Sequence, residues 1–126
     1  MVQVAVLAVS LSLGLARAPY VGIACPGQPN VTTCGRVGVA VWLKQPALAV
    51  SAALAGSPLR LHAGGFGGQG PRYWEGYVRL SQQQLRLPRQ WAGTGPVRVL
   101  TLKLTIRYRK RTESGAVRVQ LRPGWG

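Results

Sequence analysis

The feature that most constrains the fold is the run Leu100 to Tyr108. Leu100, Leu102, Leu104, Ile106 and Tyr108 share one phase, and Thr101, Lys103, Thr105 and Arg107 share the other. A period of two with one apolar face is the mark of an antiparallel strand packed on a core from one side. A chain carrying such a strand needs partners of the same kind, and the sequence supplies them. Val37, Val39 and Val41 alternate with Gly38, Ala40 and Trp42 up to Leu43, a pattern that suits a strand buried on both faces. Leu48, Val50, Ala52 and Leu54 form another phase, and Leu59 and Leu61 flank Arg60 after the turn Gly56-Ser57-Pro58.

Arg72 to Leu80 divides into a polar, aromatic face and an apolar one. Tyr73, Glu75, Tyr77 and Arg79 lie on the first, and Trp74, Gly76, Val78 and Leu80 on the second. Gln84 to Leu87 reads as a short fifth strand, Arg109 to Gly115 as a turn, and Val117, Val119 and Leu121 as the inward phase of a last strand. The phase change between Val99 and Leu100 suggests a bulge. About seven strands and no amphipathic helix after residue 19 predict an all-β domain. The expected architecture is an antiparallel β-sandwich of immunoglobulin-like type, with a small β-barrel as the alternative. A length of 126 residues accommodates one such domain.

Val2 to Ala16 is apolar apart from Gln3, Ser10 and Ser12. It is short for a bilayer span of roughly 20 residues and suits the apolar part of a signal peptide. Ala16-Arg17-Ala18 offers small residues at cleavage spacing, but Pro19 would follow the cut and no basic residue precedes the apolar run. Residues 1–18 are therefore expected to be a signal peptide or an uncleaved anchor, and residues 19–126 a single extracytoplasmic domain. In that location Cys25 and Cys34, with eight Pro-, Asn- and Thr-rich residues between them, are expected to close a disulfide. They lack the spacing of a redox or zinc pair, and the single histidine, His62, adds too little for a metal site.

Lys and Arg number 16 against 2 acidic residues, a formal charge of +14. Such a chain is drawn to polyanions, although GC-rich coding, which the Ala, Gly, Val and Pro content accompanies, also enriches arginine. Arg107, Arg109, Lys110 and Arg111 are the densest cationic group and the candidate anion-binding site. The expected partners are anionic lipid head groups or wall polymers. Nucleic acid is the runner-up, without a recognisable binding motif. Tyr73-Trp74-Glu75-Gly76-Tyr77 supports a second alternative, a carbohydrate-binding or carbohydrate-active face. No catalytic residue, cofactor or metal is expected. The only side-chain carboxylates are Glu75 and Glu113, no aspartate exists to complete a hydrolase triad, and Gly64 to Gly70 lacks the Lys-Ser/Thr of a phosphate-binding loop.

Tyr20-Val21-Gly22-Ile23-Ala24-Cys25, followed by Cys34-Gly35-Arg36-Val37-Gly38-Val39-Ala40-Val41-Trp42-Leu43, resembles a pattern in secreted or membrane-anchored proteins of high-GC bacteria. Trp74-Glu75-Gly76 and Pro123-Gly124-Trp125-Gly126 are similar too. The resemblance implies an N-terminal anchor and an extracytoplasmic β domain, and it implies no activity.

Overall fold

The computed structural model describes residues 13–25, 35–64, 72–85 and 98–124. Seven strands make up most of them: β1 (Tyr20–Ile23), β2 (Arg36–Trp42), β3 (Ala49–Leu54), β4 (Ser57–Ala63), β5 (Tyr73–Arg79), β6 (Val99–Arg107) and β7 (Thr112–Arg122). One turn of helix, α1 (Gln82–Leu85), follows β5. The strands close into a barrel in the order β1-β2-β5-β4-β3-β6-β7. The barrel held as the alternative is thus the architecture found, and two separate sandwich sheets are not. Two strands that change partners close it. β4 pairs with β3 from Ser57 to Leu61 and then with β5 at His62 and Ala63. β7 pairs with β6 from Thr112 to Gln120 and then runs parallel to β1 at Leu121 and Arg122. The order β6-β3-β4-β5 is a Greek key, which explains how a sandwich-like strand pattern serves a barrel.

The core follows from the alternation. Leu100, Leu102, Leu104 and Ile106 are all at most 3% exposed, while Thr101, Lys103 and Thr105 are exposed. Val37, Val39 and Val41 face the same core, and Ala40 on the outer phase of β2 is buried as well. Trp74 and Leu80 point inward, with Tyr77 outward.

Four local readings change. β1 arises from Tyr20–Ile23, where no strand was expected, and it keeps the count at seven because Gln84 is helical. Ser81 and Gln84 form a reciprocal cap. The Ser81 hydroxyl accepts from the Gln84 amide at 3.1 Å, and the Gln84 carbonyl oxygen accepts from the Ser81 amide at 2.8 Å. This is the Ser-x-x-Gln capping box, and it nucleates α1. Gln84 then donates to the Ala55 carbonyl and the Ser57 hydroxyl, fixing α1 to the β3–β4 turn. Further on, β7 begins at Thr112, which shrinks the expected turn to Tyr108–Arg111, where the Tyr108 amide donates to the Arg111 carbonyl at 2.7 Å. Last, Val99 and Leu100 pair with Gln120 and Val119 in unbroken register, so the bulge expected between them is not there, and Leu87 lies outside the described residues.

Leu13 and Leu15 are 1% and 3% exposed and belong to the core. Leu15 bridges to Leu43, the Ala16 amide donates to the Trp42 carbonyl, and the Lys44 amide donates to the Gly14 carbonyl. A Cβ on Gly115 would stand 3.0 Å from a Leu13 methyl, so the absence of a side chain there makes room for the leucine. The expected boundary between residues 18 and 19 therefore falls after a segment that is packed into the barrel end. Residues 1–12 lie outside the described residues, and so does Cys34. Cys25 is buried just after β1. Among the described residues no helix is long and apolar enough to cross a membrane.

Candidate anion-binding site

The cations of the Arg107–Arg111 group occupy different settings. Arg107 ends β6 on the outer phase, beside Ala49 of β3 and Thr112 of β7. Arg109 and Lys110 are exposed at the tip of the turn. The Arg111 guanidinium donates to Glu113 at 2.7 Å and to the Gln45 side chain at 3.2 Å, and lies 4.3 Å from the centre of the Tyr108 ring. Glu113 holds the Arg111 guanidinium charged, its pKa above the usual arginine value. Arg111 is thus a structural cation. Its carboxylate partner stands on the inward phase of β7 at the barrel end, and the remaining three cations keep their charge for solvent or ligand.

Tyr108 closes this end from inside. Its hydroxyl donates to the Leu13 carbonyl at 3.4 Å. Burial first, and the Glu113 carboxylate second, push the phenol pKa up, against an opposing pull from Arg111. The β6–β7 turn and the β2–β3 connection enclose a depression of about 470 Å³ between Gln45, Leu48, Arg109, Lys110 and Arg111. Leu48 is 58% exposed, and Leu48 and Tyr77 are the only large apolar side chains so exposed among the described residues. One end of the barrel therefore presents an exposed leucine ringed by Arg107, Arg109 and Lys110. The segment leading in from the apolar N-terminal run, Leu13–Ala16, is fastened to that same end.

A second depression opens around the corner. Where β4 leaves β3 to join β5, a cleft of about 570 Å³ forms. Arg60, His62, Arg107, Ser51 and Thr105 line its polar sides, and Val50, Leu61 and Trp74 lie at its base. Arg118 and Arg122 of β7 stand apart from this cationic group. Arg118 pairs with Thr101 and Arg122 with Gly22, at the far end from the turn.

The carbohydrate-face candidates divide as the alternation requires. Trp74 is in the core, and Tyr73, Glu75 and Tyr77 are on the outer phase. Tyr73 donates to Glu75 at 3.1 Å, and burial, then that bond and the carboxylate charge, push its pKa up to about 12. Arginines cover neighbouring rings: Arg17 lies 3.6 Å from the Trp42 ring centre and Arg36 4.3 Å from that of Tyr77. A sugar stacking here would displace these cations. Glu75 and Glu113 sit on β5 and β7, which are not neighbours in the barrel, so the two carboxylates do not form a pair across a shared ladder. Among the described residues no group of three His, Cys, Asp or Glu side chains comes together to hold a metal.

Of the four candidate cations Arg107, Arg109, Lys110 and Arg111, the structure pairs Arg111 with Glu113, and the nearby Leu48, Arg60 and His62 were not singled out from the sequence. The phase of Arg107 was readable, but the β3–β4–β6 register that brings Arg60 near it is not a property of any one strand. No protein-family model, curated protein or solved structure matches this chain.

Proposed function

We propose that the protein is a non-catalytic, extracytoplasmic β-barrel that associates with the cell envelope by resting one end on an anionic membrane surface. The observation that carries this reading is the joint placement of exposed Leu48, of Arg107, Arg109 and Lys110, and of the Leu13–Ala16 segment at one barrel end. An apolar side chain among cations suits the boundary between lipid head groups and acyl chains. The packing of Leu13 and Leu15 favours an uncleaved anchor, because cutting after Ala18 would strip both from the core. Tethering from this end would bring the cations down onto the head groups. The same location carries with it a Cys25–Cys34 bridge; recovering both as free, alkylatable thiols from exported protein would remove that part of the reading. Nucleic acid is less favoured, since among the described residues the exposed basic end offers no open aromatic platform for bases.

Cosedimentation of the whole chain with anionic and neutral vesicles tests the reading. The expected result is binding to anionic vesicles that falls with added salt. Each cation contributes about 1 kcal/mol near an anionic bilayer, so changing Arg107, Arg109 and Lys110 to Ser should weaken it about a hundredfold. Arg111→Ser, which removes a single cation, should weaken binding less than the triple change does. Equal binding to neutral vesicles, or full retention by the triple variant, contradicts the proposal.

A further inference from the structure

The cleft beside β3 supports an inference that goes beyond membrane association. We propose that it is a binding site for a linear polyol- or sugar-phosphate polymer, lying along the outer side of β3.

The argument starts from the register. On the outer phase of β3, Ser51 stands between Arg60 of β4 and Thr105 of β6, and Ala49 stands beside Arg107. Ser51 and Ala49 are short, whereas Arg60 on one side and Arg107 on the other are long and cationic, so the middle strand lies lower than these two side chains. The parting of β3 and β4 deepens this into the cleft of about 570 Å³. Arg60 and His62 form one wall, Thr105 and Arg107 the other. Ala53 is flanked by Lys103 one step further along the strand, which continues the cationic wall.

The electrostatics select an anion. The only ion pair among the described residues is Arg111–Glu113, at the barrel end, so neither Arg60, Lys103 nor Arg107 spends its charge on a carboxylate. Of the two acidic side chains, Glu75 stands opposite His62 on the far side of β4, where it accepts the Tyr73 hydroxyl, and Glu113 is held by Arg111. Guanidinium groups match phosphate oxygens in geometry as well as charge. The Ser51, Thr105 and Thr112 hydroxyls add hydrogen-bonding groups between them. Outer-phase residues on one strand repeat about every 6.6–6.8 Å, so Lys103, Thr105 and Arg107 present a periodic row to a repeating ligand.

The shape and the base of the cleft narrow the class. A recess admits a single chain and not a bilayer surface. Leu48, Ala49 and Ala63 add accessible apolar surface to the lining for the carbon skeleton of a polyol or sugar. Trp74, 5% exposed, leaves no ring face on which nucleobases could stack, which sets nucleic acid aside.

The experiment uses the whole chain and glycerol-phosphate oligomers of defined lengths, with anionic vesicles and single-stranded RNA as separate arms. Isothermal titration should show affinity that rises with oligomer length until the cleft is filled. Ser51→Phe fills the recess without changing charge and should weaken oligomer binding about tenfold or more, leaving vesicle binding intact. Arg60→Gln should weaken it about fivefold, and Arg118→Gln, a cation outside the cleft, by less than about twofold. If Ser51→Phe fails to fold, as judged by circular dichroism, the contrast between Arg60→Gln and Arg118→Gln decides. Absence of oligomer binding, a folded Ser51→Phe that binds like the parent, equal losses for Arg60→Gln and Arg118→Gln, or tighter binding of RNA would each overturn the site. Loss of vesicle binding alone would remove the membrane reading and leave the cleft standing.

Discussion

Tyr73 shows how one side chain can be tied down by its neighbours on an outer strand face. Its hydroxyl donates to Glu75, and its ring stands 5.4 Å from that of Trp42, whose face is in turn covered by Arg17. Ionising the phenol would require losing the donated proton beside a carboxylate, which with burial holds the pKa at about 12. The folded-state value lies above the ordinary 10.0. The stabilisation is therefore complete below the unfolded pKa and is lost as pH rises through the interval between the two values. Near-ultraviolet titration of tyrosinate should show late ionisation from Tyr73 and Tyr108, the Tyr73 part of which disappears in Tyr73→Phe, and alkaline unfolding of that variant should be less steep. A titration with no late step from Tyr73 would contradict the Tyr73–Glu75 bond. None of this was visible in the chain order, although the i, i+2 spacing of Tyr73 and Glu75 already placed them on one face.

At the scale of elements, alternation carried most of the information. The inward phases of β2, β3, β5 and β6 were legible because each has a long, regular apolar repeat. Tyr20–Ile23 was not: four residues are too few for a periodicity to emerge, and the strand exists through its ladders to β2 and β7. Gln84 was misread because its neighbouring leucines resemble a strand phase, whereas the Ser81–Gln84 cap decides the local structure. The β3–β4 turn is a tight one. Ala55 and Gly56 both have positive φ, 49° and 86°, as a two-residue hairpin of right-handed twist demands. Within β6, the contrast of phases gives a thermodynamic prediction. Leu102→Ala should cost about 2–5 kcal/mol, since the side chain is fully buried. Lys103→Ala should change stability by less than about 0.5 kcal/mol, as an exposed substitution does. Denaturant unfolding of the two variants reads both, and comparable losses would mean that the outer face of the barrel is not solvent-facing.

At the scale of the whole molecule, closure determines what the cations can do. Arg118 and Arg122 lie far from Arg107 by the hairpin register itself, with Arg118 facing Thr101. In the barrel they stand at the other end, and the group at the turn gains instead Leu48 from the β2–β3 connection and Arg60 from β4. The density of cations between Arg107 and Arg111 was legible in the sequence. The neutralisation of Arg111 by Glu113, and the meeting of β2–β3 with β6–β7, depend on strand order and were not. Isolated surface charges contribute little, so the arrangement at one end matters more than the total of +14. The most direct test of that arrangement is amide hydrogen exchange of the whole chain, free and bound to anionic vesicles. The account predicts slowed exchange at residues 45–48 and 109–111, with residues 118–122 unchanged. Slowing at 118–122 with no change around Leu48 and Lys110 would contradict it.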